Sequence, residues 1–352
     1  MSRFFSSEKY AFLTPYTPGE QPQDRKYIKL NTNESPFPPS PGVISAVTEA
    51  AAELQLYSDP RSRKISEAIA EYHGLSTDRV LVTNGSDEAL NFAFMAFCDS
   101  ETPVIYPDVS YGFYPVLSDL HQIPSIEIPL REDLSLCAED YYQKKGMIVI
   151  ANPNAPTGLY RNPSELEQIL IESPDALLVV DEAYVDFGGE SMVSLVNLYE
   201  NLLVIRTFSK SFSLAGGRLG YAVGDPSLIR DLDIMKYSTN PYNVNRVTAA
   251  AGCAALQEVN YYKNNCLQIE RNRNWTTCAL RDLGFSVLDS KSNFLFACSD
   301  RISGESLYLK LKEKGILVRH FSKERIQNYV RITIGSIDQM KALVNAIEEI
   351  LA

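Results

Sequence analysis

Residues 202–220 read LLVIRTFSKSFSLAGGRLG. The apolar run at 202–205 predicts a short buried strand, and it ends in a polar turn, Thr207-Phe208-Ser209-Lys210-Ser211. A strand with no polar alternation belongs to a sheet covered on both faces. Lys210 sits between two serines, with Phe208 and Phe212 outside them. Arg218 follows inside Gly216-Gly217-Arg218-Leu219-Gly220. A primary amine, flanking hydroxyls, a guanidinium and permissive glycines suit one ligand that carries both a carbonyl and a phosphate. The amine forms a Schiff base, and the hydroxyls and guanidinium hold the phosphate. Pyridoxal phosphate is such a ligand. Taken singly, Lys210 also reads as a solvated loop charge and Arg218 as a surface salt-bridge partner.

The same design recurs upstream. Short strands are predicted at 79–83, 104–106, 123–128, 147–150 and 176–180. Apolar residues at helical spacing lie between them or before them: Val43, Ile44, Val47 and Ala50; Ile65, Ile69 and Tyr72; Leu90, Phe94 and Phe97. A helix opening at Pro163 has Ser164 and Glu167 at capping-box spacing. Alternation of this kind predicts an α/β fold, a mainly parallel sheet with helices on both faces. Ligands of such sheets sit beyond the carboxyl ends of the strands. The polar clusters fall at those ends: NGSDE at 84–88, PDVSYG at 107–112, ANPNAPTG at 151–158, DEAY at 181–184 and the Lys210 turn.

A small-residue helix at 245–257 and a long polar helix at 261–283 come next. Strands at 285–288, 293–296, 316–319 and 329–334, with helices at 306–314 and the C-terminus, then form a smaller α+β unit. The expected division is an N-terminal arm at 1–40 joining the small domain, a large domain at 41–255 and a small domain at 256–352. The arm is irregular and rich in proline. Its run KLNTNESP at 29–36 is too polar for a core strand, and reads either as a plain linker or as an arm lining a pocket.

Asp181 ends a buried strand 29 residues before Lys210, a spacing that fits one crossover. A carboxylate there would keep a pyridine nitrogen protonated, making the ring an electron sink. A helix cap or loop carboxylate is the plain alternative. Tyr184 lies where it could donate to the cofactor's phenolic oxygen, and Tyr111 where it could stack on the ring. Gly85, Ser86 and Asp87 between strand and helix make a phosphate cradle of backbone N–H groups, or simply a capped helix.

Composition narrows the class. The chain has 352 residues, 45% hydrophobic and 22% charged, ordinary for a globular protein. A net charge of -11 disfavours nucleic acid and anionic membranes as partners. No apolar run reaches membrane-span length, and the N-terminus lacks signal-peptide features, so a cytoplasmic location is expected. Six cysteines form no C-x-x-C pair and the three histidines are scattered, so no metal site is expected. Tyr141 and Lys145 give a Y-x-x-x-K match to nicotinamide-dependent reductases, but no G-x-G-x-x-G accompanies it.

The order NGSDE, Tyr111, NPNAPTG, DEAY, SK and GGRLGY resembles the fold-type I, PLP-dependent aminotransferases over nearly the whole chain. More narrowly, LTPY, LNTNESPF, YSDP, DEAYVDF, RTFSKSFSLAGGRLGY, NPYNVN and VRITIG are similar to the histidinol-phosphate aminotransferases. The resemblance implies an aspartate-aminotransferase-like large domain. It implies that Lys210 carries the covalent link to pyridoxal 5'-phosphate, with Asp181 on the ring nitrogen and Tyr184 on the ring oxygen. Ser209, Arg218 and the backbone at Ser86 and Asp87 would bind the phosphate. Tyr57 would reach the phosphate of a neighbouring subunit's cofactor, which implies a homodimer with shared sites. The family has asparagine where this chain has Ala155, so Asn154 either replaces it through a shifted turn or leaves Tyr184 with less help. Arg319 and Arg331, with Tyr16 and Asn33 from the arm, would hold the substrate phosphate and, in the other half-reaction, the glutamate carboxylate. The implied reaction is transamination between L-histidinol phosphate and 2-oxoglutarate in histidine biosynthesis. The same motifs fit an aromatic aminotransferase or a threonine-phosphate decarboxylase. A noncatalytic PLP-binding regulatory protein is the alternative of another class.

Overall fold

The structure is a computed structural model that describes Tyr10 and residues 13–352. A two-residue strand, β1 (Ile28–Lys29), precedes helices α1 (Pro41–Ala51) and α2 (Arg63–His73). Then β2 (Val80–Thr83), α3 (Ser86–Phe97), β3 (Val104–Pro107), α4 (Phe113–His121), β4 (Ser125–Ile128) and β5 (Gly146–Ala151) follow. After them come α5 (Pro163–Glu172), β6 (Ala176–Asp181), β7 (Leu202–Thr207), β8 (Gly220–Gly224), α6 (Pro226–Thr239) and α7 (Arg246–Gln257).

These strands make one seven-stranded sheet in the order β2-β8-β7-β6-β5-β3-β4. Neighbours from β4 through β7 pair in parallel, and β8 runs antiparallel to both of its neighbours. Side chains alternate across a strand, so each apolar run feeds two cores. Ile148, Val180 and Val204 pack with Val43, Ile65 and Ala251 on one face. Val149, Val179 and Ile205 pack with Leu90, Phe94, Leu117 and Leu232 on the other. The central strands β5, β6 and β7 carry no polar alternation because neither face meets water, whereas the edge strand β4, SIEI, is largely exposed.

The rest of the chain forms a second core. It contains the long helix α8 (Val259–Asp282), β9 (Ser286–Val287), β10 (Phe294–Cys298), α9 (Gly304–Glu313), β11 (Ile316–Leu317), β12 (Arg319–His320), β13 (Val330–Thr333) and α10 (Ile337–Leu351). The order β12-β13-β10-β9 gives an antiparallel sheet, and β1 pairs in parallel with β11. Leu30 and Phe187 pack among Ile269, Leu280, Leu295, Ile332 and Leu343. The arm is thereby built into this second core. Tyr262 of α8 belongs to the first core and Ile269 to the second, so one helix spans both.

Some expectations need correction. The strand expected at 316–319 is two short strands in different sheets, β11 and β12. The capping box of α5 uses Asn162 and Glu165 rather than Ser164 and Glu167, since Glu165 Oε2 accepts the backbone N–H of Asn162 at 2.9 Å. Asparagine at that point caps with Pro163 at the first helical position, where a missing N–H costs nothing. The strand β8 and the helices α4 and α6 carry no counterpart in the sequence reading. No helix among the described residues is long and apolar enough to cross a membrane.

Candidate active site

The carboxyl ends of β2, β5, β6 and β7 open into one cavity of about 420 Å³. Ser86, Asp87, Tyr111, Asp181, Tyr184, Ser209, Lys210 and Arg218 line it from the first core. Tyr16, Asn31, Thr32 and Asn33 line it from the arm, and Arg319 and Arg331 from β12 and β13. The polar stretch 29–36 is therefore a wall of the cavity, and the plain-linker alternative falls.

Asp181 is the last residue of β6 and only 5% exposed. Its Oδ2 accepts the Tyr114 hydroxyl at 3.0 Å and its Oδ1 accepts the Ala183 N–H at 3.2 Å. Burial pushes its pKa up to about 6, against those hydrogen bonds and the more distant charge of Lys210. Near neutral pH it is a carboxylate in a site that penalises negative charge, which is the condition for gripping a cationic partner. Tyr114, on α4, is a positioning residue that sequence reasoning missed. Its signal was the apolar spacing of FYPVLSDLH, a helical stretch passed over in the reading.

Lys210 follows β7, the parallel neighbour of β6, so one crossover brings amine and acid to the same edge. Among the described residues its Nζ makes one long hydrogen bond, to Thr32 O at 3.4 Å, and it lies 5.7 Å from the Tyr184 ring centre. The Tyr184 hydroxyl accepts from Asn33 Nδ2 at 2.9 Å.

Near Ser86 the cavity suits an anion. The helix α3 starts without any side-chain cap, so capping by Ser86 or Asp87 is not what holds this turn. The first-turn N–H groups are thus free to meet a phosphate. Space is set by glycine. A Cβ on Gly220 would stand 2.5 Å from the Ser86 nitrogen, and one on Gly85, at φ +83°, would stand 2.5 Å from the Arg218 guanidinium. Arg218 approaches Asp87 Oδ2 at 3.4 Å, and Tyr111 donates to Asp87 Oδ1 at 3.0 Å. Thr207, also missed by sequence reasoning, accepts the Ser209 N–H at 3.1 Å and donates to the Ser209 hydroxyl at 3.0 Å.

On the far side, Arg319 and Arg331 are cross-strand partners in the β12–β13 ladder. Like charges so placed repel. Neither forms an ion pair with an acidic side chain among the described residues. Arg319 donates to the carbonyls of Pro18 and Thr17, and Arg331 to that of Asn31 at 3.1 Å. Arg331 Nε is buried with no partner, and burial lowers the pKa of this guanidinium, with Arg319 adding to the effect. Its planar face lies 5.2 Å from the Phe294 ring centre. The Tyr16 ring packs edge-on to Tyr111 and Phe113.

One expected ligand, Asn154, is placed otherwise. Asn154 does not line the cavity. Its Nδ2 donates to Val109 O at 3.1 Å and Thr157 Oγ1 at 3.0 Å, and its Oδ1 accepts from Ser110 at 3.3 Å, which holds the side chain within its own loop. Ala155 faces the cavity instead. Asn33 lines the cavity, and its amide is hydrogen-bonded to Tyr184 and Thr333. Tyr57 is 80% exposed, stacks on Tyr242 at 4.7 Å and lies outside this chain's cavity.

Comparison with known proteins shows the family. The family model described as aminotransferase class I and II matches residues 25–347. A histidinol-phosphate aminotransferase of Brachyspira hyodysenteriae is 47% identical over 99% of both chains. Another, from Clostridium acetobutylicum, is 43% identical over 100% of both. The crystal structure of the Sinorhizobium meliloti histidinol-phosphate aminotransferase in complex with pyridoxal-5'-phosphate superposes with a TM-score of 0.83. It is 25% identical and covers 93% of this chain and 92% of its own. The fold, the cavity at the strand ends and these matches together make the chain a member of the class I and II aminotransferase family.

Proposed function

We propose that the protein transfers the amino group of L-histidinol phosphate to 2-oxoglutarate, giving imidazole acetol phosphate and glutamate. The observation that carries the choice of substrate is the facing pair Arg319 and Arg331, without acidic ion-pair partners among the described residues, in the cavity that Lys210 also lines. Two adjacent guanidinium groups call for a dianion such as a phosphate monoester, and a carboxylate can take the same place in the second half-reaction. The relatives' names support the same reading.

The residues present fit pyridoxal 5'-phosphate. Bound, it supplies an electron sink for the substrate carbanion. Lys210 would bind it covalently, Asp181 would hold its ring nitrogen protonated and Tyr184 would face its ring oxygen. Tyr111 would lie along the ring. Ser209, Arg218 and the N–H groups of Ser86 and Asp87 would hold its phosphate, with Gly85 and Gly220 letting the Arg218 guanidinium and the 85–86 backbone pack closely. With its amine free, Lys210 Nζ would act as base toward the substrate Cα proton and then as acid, delivering that proton on the cofactor side. Arg319, Arg331 and Tyr16 orient the substrate and, with the arm, exclude water.

The chain is further proposed to work as a large unit over 41–255 and a small unit made of the arm and 256–352. Two such chains would form a homodimer, with Tyr57 completing the partner's phosphate site.

The test compares kcat/KM for histidinol phosphate, phenylalanine and threonine phosphate with 2-oxoglutarate as acceptor. Histidinol phosphate should lead phenylalanine by at least ~100-fold, from the phosphate contacts alone, should be transaminated in preference to threonine phosphate, and Lys210→Ala should abolish turnover. Preference for phenylalanine, or carbon dioxide release from threonine phosphate, would overturn the substrate assignment. A loaded protein inert to every amino donor would indicate a binding protein.

A further inference from the structure

Asn33 is 1% exposed and sits at φ +57°, in the left-handed region that asparagine tolerates better than most residues. Four hydrogen bonds hold it. Its backbone N–H donates to Thr333 Oγ1 at 3.0 Å, and its carbonyl accepts from Asn293 Nδ2 at 2.9 Å. Its side-chain Oδ1 lies 3.0 Å from the same Thr333 Oγ1, and its Nδ2 lies 2.9 Å from the Tyr184 hydroxyl.

Thr333 Oγ1 accepts the backbone N–H and donates its one proton to Asn33 Oδ1. The amide oxygen therefore faces Thr333 and the NH2 faces Tyr184. An amide nitrogen only donates, so the Tyr184 oxygen accepts. The phenolic proton is left over, and among the described residues nothing else is hydrogen-bonded at that oxygen. The cavity is the side left to it, since Tyr184 lines that wall.

We propose that Asn33 is a positioning residue which fixes Tyr184 as a hydrogen-bond donor into the cavity, toward the ring oxygen of the bound cofactor. The inference rests on the cofactor reading given above. It also explains how the site is tied to the substrate end: Thr333 lies two residues beyond Arg331 on β13, so one strand anchors both the anion-binding guanidinium and the residue that orients Tyr184. Because Ala155 and the inward-turned Asn154 supply no amide at this wall, the Tyr184 donor has no such companion.

The readout is the pH midpoint of the absorbance change of the resting, cofactor-loaded protein, with no substrate present. A donor at the ring oxygen draws off negative charge and so lowers the pKa of the neighbouring protonated nitrogen joined to Lys210. Tyr184→Phe should raise the midpoint by about one pH unit or more. Asn33→Asp is isosteric and keeps the Thr333 bond, but it can only accept, so it turns the Tyr184 proton away from the cavity. It should raise the midpoint about as much in the wild type and add little in the Tyr184→Phe background. Asn33→Gly, which suits the positive φ and lacks the amide, should move the midpoint the same way by less. A Tyr184→Phe protein with an unmoved midpoint would overturn the cofactor reading itself. A moved Tyr184→Phe midpoint with an unmoved Asn33→Asp one would overturn the role of Asn33. Equal Asn33→Asp shifts in both backgrounds would do the same, since they would mark plain charge repulsion.

Discussion

Asp181 shows how a single residue carries a site. Its ordinary pKa is 3.8, and in the folded chain burial raises it to about 6. The native state thus binds this proton more tightly than the unfolded chain does. Its contribution to stability is complete below the unfolded value and is lost as pH rises through the folded one. In the cofactor-free protein the loss should total ~3 kcal/mol between about pH 4 and pH 7. Asp181→Asn should show no such loss, and loading the cofactor should cancel it in the wild type, because a ring cation compensates the buried charge. Urea titrations at several pH values measure all three; a cofactor-free wild type whose stability tracks that of Asp181→Asn would refute the assignment. The place of Asp181, Lys210 and Tyr184 along the cavity wall was legible in the sequence because their types are unusual just after apolar strands, and that of Arg218 because glycines surround it. Tyr114 and Asn33's true partners were not, because a hydrogen bond between residues far apart in the chain leaves no local trace.

Among elements, β6 and β7 and the turns after them matter most. Asp181 and Lys210 are each followed by a residue of a second, buried network. Glu182 accepts from Ser191 Oγ at 2.5 Å and the Met192 N–H at 2.6 Å, and Ser211 donates to Asp186 at 2.5 Å. Arg206, on β7, bridges Asp186 at 2.5 Å and Glu182 at 3.4 Å. Burial raises Glu182 to about 7, with Arg206 working against it. Burial also tends to raise Asp186, but there Arg206 and Ser211 prevail and its carboxyl stays below the usual range. The guanidinium thereby ties together the two turns that present acid and amine. The strands were readable because parallel strands buried on both faces appear as unbroken apolar runs. The exception, β8, is just as buried but reads GYAVG, and its two glycines hide a strand that the Lys210 loop forces to return antiparallel. The short strands β11 and β12 were fused in the reading because apolarity alone does not mark a change of sheet.

At the scale of the whole molecule, the arm and the second core close over an edge that the first core builds alone. That arrangement was only half legible: polar residues at 29–36 fit a linker as well as a wall, and the pairing of β1 with β11 depends on residues nearly the whole chain apart. The exposed Tyr57–Tyr242 pair motivates the proposed dimer. Sedimentation should find twice the 39.4 kDa chain mass, and a monomer with full activity would contradict shared sites. Beneath every level stands the meeting of one amine and one acid at a single cofactor. Borohydride reduction of the loaded protein, followed by peptide mass mapping, tests this most directly. The phosphopyridoxyl group should be found on Lys210 alone, in one equivalent per chain; its recovery on another lysine, or on none, would contradict the account.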